Sequence, residues 1–155
     1  MERLRYDDDT AFSLADDAST VARIVRMEGR DRLRAARFGE WTALEVIGHL
    51  ADMAEVFAER VRRCVTEERP VLPSVDQDAV AAERRNDEGD PMKMSKRLQT
   101  AHGEIVQLLS APANRTRVGL HGDWGEVDAA HVAAYQARHA HEHTSELAAK
   151  FPPTG

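Results

Sequence analysis

Three histidines near the carboxyl end of the chain have the types and spacing that could bind a metal. His139, His141 and His143 fall within one short stretch rich in helix-forming residues. At about 100° per residue, His139 and His143 point about 40° apart on one helix face, whereas His141 lies about 160° from each. Only the first pair can share a metal ion without distorting the helix. The phase therefore predicts that His139 and His143 are ligands and that His141 points away.

His49 is the best candidate for a third ligand. It lies between Val46 and Leu50 in the middle of a predicted helix, where the interior of a bundle is expected. Catalytic metal sites usually have three protein ligands and an open position for water or substrate. On spacing alone, a solvated surface pair remains the more frequent explanation of two histidines four residues apart, and that alternative stays open.

The other polar candidates have weaker support. We interpret four histidines as surface or loop residues: His102, His121, His131 and His141. His121 lies in a glycine-flanked loop that could overhang the site. Asp52 is either a carboxylate that does not bind the metal itself but orients one of the histidine ligands, or an exposed helix carboxylate. The candidates for a general base are Asp52, Glu142 and His121, and none is assigned, so the catalytic residues stay unknown. Cys64, the only cysteine, is interpreted as a small core residue.

Four long helical patterns must position these residues. Helix formers dominate the sequence, while the β-branched and aromatic alternation of strands is nearly absent. This pattern predicts an all-α fold. Apolar periodicity and capping residues predict helices near 10–28, 43–65, 91–110 and 129–150.

The ends of these helices have local signals. Gly29 is expected to end the first helix. Thr42 and Glu45 form a capping box at the start of the second. Asp90, followed by a proline, opens the third, and Asp128 caps the fourth.

The connections between the helices indicate the topology. The segment 66–90 is polar, contains two prolines and a glycine, and is predicted to hold a helical turn or two near Gln77–Arg84. A connection this long can cross the bundle, so the second and third helices are predicted to run parallel. The segment 114–126 is predicted to be a loop or a short hairpin.

Length and charge exclude several classes of protein. A chain of 155 residues suits a single domain over residues 1–155. Its net charge of −6 argues against broad nucleic-acid binding. A single cysteine excludes an internal disulfide. Without an apolar signal segment or a membrane-length apolar run, we expect a cytoplasmic protein that does not engage membranes.

Three segments resemble motifs of the DinB-like superfamily. WTALEVIGHLAD at 41–52 resembles the family's W-[ST]-x-x-E-x-x-x-H-L-x-D segment. LHGDWGEVD at 120–128 is similar to its H-x-x-x-G loop before the last helix. HAHEHTSEL at 139–147 resembles its H-x-x-x-H-x-x-Q-[IL] ending, with Glu146 where glutamine is common. The order and separations of the three segments also fit, so the resemblance covers nearly the whole chain.

This resemblance implies a four-helix bundle with a long crossover between helices 2 and 3, and often a homodimer. It also implies a metal site that carries over to His49, His139 and His143. We expect a divalent metal, zinc first, with nickel, iron or manganese as alternatives. Some relatives are transferases or isomerases that use a low-molecular-weight thiol such as bacillithiol or mycothiol. The expected partners are therefore a small-molecule substrate, such a thiol and a second copy of the chain.

Two functional hypotheses follow. The first is a metal-dependent thiol S-transferase or hydrolase that acts on a small molecule, because a metal held by three neutral imidazoles remains Lewis-acidic. The second is a non-catalytic, stress-related metal-binding dimer, which the absence of any further catalytic constellation supports. Metal analysis followed by thiol-consumption assays separates the two hypotheses.

Overall fold

Four long helices form the bundle that the sequence predicts. A computed structural model describes residues 2–153. The helices are α1 (Asp8–Ala35), α2 (Ala43–Thr66), α3 (Gln77–Arg84), α4 (Pro91–Leu109) and α5 (Ala129–Lys150). The strands are β1 (Arg37–Phe38), β2 (Trp41–Thr42), β3 (Val71–Leu72), β4 (Val118–His121) and β5 (Gly125–Asp128). Short 3-10 turns cover Asn86–Glu88 and Pro112–Thr116. All four predicted long helices and the short helix α3 are confirmed.

The predicted caps begin the helices that carry the candidate site. The Thr42 side chain accepts a hydrogen bond from the Glu45 backbone N–H, and the Glu45 carboxylate accepts one from the Thr42 N–H. The Asp128 carboxylate accepts a bond from the N–H of His131 at the start of α5. Such caps satisfy backbone donors that have no partner inside the helix. They fix the first turns of α2 and α5, and hence the phase of the histidines that follow.

The first helix is longer than predicted at both ends. Asp7, paired with Thr10 in a capping box, starts it earlier. Gly29 interrupts the helix with φ +70°, as its type suggests, but the helical path resumes and continues to Ala35. The prediction that α1 ends at Gly29 was therefore wrong. Leu33, which is fully buried beyond the kink, explains why the chain returns to a helix there.

Helices α2 and α4 lie side by side and run parallel. Arg97 of α4 forms ion pairs with Asp52 and Glu55 of α2, and Arg62, further along α2, pairs with Glu104, further along α4. The contacts thus advance in the same direction along both helices. Each of α1 and α2 packs mainly against α4 and α5, so α2 and α4 are neighbours in the bundle. The predicted long crossover between the second and third long helices is confirmed.

The crossover itself is anchored on α2. The Asn86 side chain packs directly over Gly48, where an added Cβ would lie only 2.4 Å from Asn86 Cγ. Its amide nitrogen donates a hydrogen bond of 2.9 Å to the buried Asp52 carboxylate. A glycine at position 48 is therefore required for this close approach. The contact holds the crossover against Gly48, the residue that precedes His49 in the sequence.

Three short strands form a small sheet in the order β3-β4-β5, which contacts α2 and α5. Strands β4 and β5 form the short hairpin predicted for this region, and β3 of the crossover adds to β4 in parallel. Strand β3 was not predicted, because it has only two residues and pairs with a distant segment. Strands β1 and β2 form a second, tight hairpin through Gly39.

Apolar side chains of the long helices fill the interior. The largest fully buried ones include Leu14, Ile24, Ile47, Leu98 and Leu147. None of the helices within residues 2–153 has both the length and the apolar character that a membrane crossing requires.

Candidate metal centre

The structure brings His49, His139 and His143 together. His49 lies on α2, and the other two lie one turn apart on α5. The two helices pack as antiparallel neighbours, since Phe57, later in α2, stacks on Tyr135, earlier in α5. The helical phase derived from the sequence therefore places all three imidazoles in the seam between the two helices.

The three rings point their nitrogens toward a common centre. The Nε2 atoms of His49 and His139 are 3.3 Å apart. One nitrogen from each of the three rings lies within 4.8 Å of the other two. The ring centroids are 4.8 to 5.1 Å apart and the ring planes are nearly perpendicular, at 83° to 88°. Three imidazoles arranged in this way can present lone pairs to one ion.

Burial favours the neutral form of two of the three imidazoles. The His49 side chain is among the largest fully buried ones, and burial lowers its pKa to about 3. Burial also lowers the pKa of His139, and the neighbouring His143 acts in the same direction. A metal binds the neutral imidazole, so protons compete weakly for these two nitrogens near neutral pH.

The hydrogen bonds of the cluster fit a cation better than a self-contained network. Nδ1 of His49 and Nδ1 of His143 are buried and have no hydrogen-bond partner in the described chain. The nearest carboxylate oxygen to His143 Nδ1 is Oε2 of Glu146, at 3.9 Å. A hydrogen bond between His49 and His139 accounts for two of the rings but leaves His143 unexplained. A positive ion among the three rings would account for His143 as well, while Nδ1 of His49, the nitrogen not facing His139, keeps no partner.

His141 lies on the other side of α5, as the helical phase predicts. Its side chain is 62% exposed, and its Nδ1 is 3.1 Å from the carboxylate of Asp17 on α1. It is therefore outside the cluster, although it is only two residues from two of its members.

Three histidines interpreted as surface or loop residues are in fact buried: His102, His121 and His131. His102 Nδ1 donates to the Leu14 carbonyl oxygen at 2.8 Å, and its Nε2 accepts from the Gln136 amide at 3.1 Å. His131 Nδ1 accepts from the Leu4 backbone N–H. His102 continues the apolar stripe of α4, and this signal could have revealed its burial.

A cavity of about 300 Å³ lies beside the histidine cluster and reaches His139. Side chains from four parts of the chain line it. They are Met53 and Phe57 of α2, Ser74 of the crossover, His121 and Trp124 of the hairpin, and Tyr135 of α5. His121 thus lines the cavity beside the cluster, and the centroid of its ring lies 4.3 Å from that of Trp124. A volume of this size suits a small organic molecule.

The surroundings of Asp52, Glu142 and Cys64 indicate that none of them takes part in the site. Asp52 is buried between Asn86 and Arg97, so it is neither exposed nor a ligand-orienting carboxylate. Glu142 is exposed. Cys64 is buried, and burial raises the pKa of its thiol to about 11, which agrees with its interpretation as a core residue.

Comparisons with known proteins agree with this architecture. The family model described as the DinB superfamily matches residues 15–147. Among solved structures, YfiT from Bacillus subtilis superposes with a TM-score of 0.79 at 23% identity, covering 95% of this chain and 88% of that one. That protein is described as a probable metal-dependent hydrolase with an unusual four-helix bundle topology. No curated protein matches the chain.

Proposed function

This chain belongs to the DinB superfamily, and we propose that it is a metal-dependent enzyme that acts on a small molecule. The reaction is either transfer of a low-molecular-weight thiol to the substrate or hydrolysis of the substrate. His49, His139 and His143 hold a divalent metal, for which zinc is the first choice. The description of the Bacillus subtilis protein as a probable metal-dependent hydrolase supports the hydrolytic alternative.

The observation that carries this proposal is the position of the cavity relative to the three histidines. His139 belongs to the cluster and also lines the cavity. A cluster with a purely structural role would not need an opening beside it. A catalytic site, in contrast, must let a substrate reach a position next to the metal.

The metal and the chain have separate tasks in this proposal. Bound at the cluster, the metal would supply a Lewis acid that lowers the pKa of a thiol or water beside it. Burial of His49 and His139 lowers their pKa values and so favours their neutral, metal-binding form. The aromatic residues Phe57, Trp124 and Tyr135 line the cavity in which the substrate would lie.

The thiol of a transfer reaction must come from outside the chain. Cys64 is the only cysteine, and it is buried with a raised pKa. A thiol in such surroundings is a poor nucleophile. This argument supports a low-molecular-weight thiol as the second substrate whenever the reaction is transfer rather than hydrolysis.

Metal analysis combined with activity assays tests the proposal. The protein is purified from media supplemented in turn with zinc, nickel, iron and manganese, and its metal content is measured. Thiol consumption with electrophiles and hydrolysis of small esters and amides are then assayed. We expect bound metal, and turnover that a chelator abolishes and metal restores. Bound metal without turnover would favour the non-catalytic alternative, and a protein that binds no metal would contradict both.

A further inference from the structure

Arg60 is a buried cation without a carboxylate partner. It lies on α2, lines the cavity and is only 7% exposed. One of its nitrogens donates a 2.8 Å hydrogen bond to the Pro73 carbonyl oxygen, and its guanidinium lies 4.8 Å from the centre of the Phe57 ring. Within residues 2–153 no aspartate or glutamate forms an ion pair with it. Burying a charge in this way is costly unless a counter-charge compensates.

Arg97 provides a comparison, because it is an arginine with a purely structural role. It is also largely withdrawn from solvent, but it contacts the carboxylates of both Asp52 and Glu55. Asp123, the acidic residue that lines the cavity, does not form such an ion pair with Arg60. Asp123 is exposed, and its carboxylate accepts a 3.4 Å hydrogen bond from Ser74. The guanidinium of Arg60 therefore retains donors for a ligand in the cavity.

His121 supplies a second donor in the same cavity. Its Nδ1 accepts hydrogen bonds from the backbone N–H groups of Asp123 and Trp124, at 3.1 and 3.2 Å. A neutral ring that accepts at Nδ1 carries its proton on Nε2. Because the ring lines the cavity, its N–H edge is the group left for a ligand.

We propose that Arg60 and His121 form a subsite for the carboxylate of the substrate, and that the enzyme acts on small carboxylic acids with a flat apolar body. This inference rests on the proposed function. Arg60 provides the counter-charge and His121 an additional hydrogen bond. The side chains of Phe57, Trp124 and Tyr135 provide the apolar walls beside them. The reacting group then lies toward His139.

Binding of benzoate to the metal-free protein tests the subsite independently of any reaction. Benzoate has a carboxylate on a flat ring, and benzamide is its neutral counterpart. Metal is removed with a chelator, and binding is followed by calorimetry and by tryptophan fluorescence, to which Trp124 at the cavity contributes. We expect benzoate to bind at least about tenfold more tightly than benzamide, since hydrogen bonds to charged groups are worth about tenfold to hundredfold in affinity.

Variants assign the effect to the two donors. Arg60→Met should weaken benzoate binding about tenfold or more, whereas Arg62→Met, on the exposed side of the same helix, should leave it unchanged. His121→Phe keeps a ring against Trp124, removes the donor and should weaken binding more modestly. It also provides a test if Arg60→Met fails to fold.

The outcomes separate this inference from the proposed function. Equal binding of benzamide and benzoate, or benzoate binding that survives both Arg60→Met and His121→Phe, overturns the subsite. Binding that requires added metal also overturns it, because the metal itself would then hold the carboxylate. If the protein binds benzoate but never binds metal, the subsite stands and the proposed function fails.

Discussion

His102 should make the stability of the protein depend on pH, and the structure gives the size of the effect. Its ring is held between the Leu14 carbonyl oxygen and the Gln136 amide, and burial lowers its pKa to about 4. In the unfolded chain its pKa is near 6.5. Between pH 6.5 and 4 the unfolded state therefore binds a proton at His102 that the native state does not bind. The free energy of unfolding falls as the pH drops through this range.

The magnitude follows from the difference in pKa. At about 1.4 kcal/mol per pH unit, the full shift of His102 corresponds to about 3 kcal/mol, of which about 2 kcal/mol is lost by pH 5. That is a large part of the stability of a typical domain. Other histidines with lowered pKa values add to the loss, so a variant is needed to isolate this one.

His102→Asn isolates the contribution. Asparagine can keep the hydrogen bond to the Leu14 carbonyl oxygen but does not titrate. Urea unfolding of both proteins is measured with a chelator at pH 7.5, 6.5 and 5.0, so that bound metal does not contribute. The variant should be the less stable at pH 7.5, by about 1 to 3 kcal/mol for the lost contacts. By pH 5.0 that difference should shrink by about 2 kcal/mol. A difference that stays constant with pH would mean that the native state does not hold His102 neutral.

Three other predictions test the site, the packing and the assembly. His139→Ala should lose the bound metal, whereas His141→Ala should retain it, as measured by metal content. In the unmodified protein, nitrogen–metal distances should be about 2.0–2.2 Å if the ion is zinc. Loss of metal from His141→Ala but not from His139→Ala would mean that the helical phase is misassigned. Gly48→Ala should destabilise the protein by about 1–3 kcal/mol, because its Cβ collides with Asn86, whereas Gly103→Ala, with open space around it, should not destabilise it. The homodimer expected from the resemblance predicts twice the mass of one chain in light scattering, and a monomer at micromolar concentration would contradict it.

Local signals explain which parts of the molecule could be predicted. The starts of α2, α4 and α5 were correct because caps such as Thr42 and Asp128 act within one turn. The helical phase then grouped His139 with His143 and excluded His141. The location of His49 in the apolar stripe of α2 was enough to bring it to the same seam.

Contacts between distant segments explain what the sequence did not reveal. The partner of His102 Nδ1 is the Leu14 carbonyl, 88 positions away, and the partner of His131 is the Leu4 N–H, 127 positions away. Periodicity gives no access to such partners, although the apolar stripe of α4 does indicate that His102 is buried. Strand β3 and the continuation of α1 beyond Gly29 depend in the same way on what packs against them.

The crossover links the topology of the bundle to the chemistry proposed for it. A direct loop between α2 and α4 could join them only as antiparallel neighbours, whereas the long connection allows them to run parallel. The same connection brings Ser74 to the cavity wall and the Pro73 carbonyl to Arg60. The histidine cluster, in contrast, lies entirely on α2 and α5. If the proposed function is right, changes in the crossover should therefore alter substrate choice while leaving metal binding by the three histidines intact.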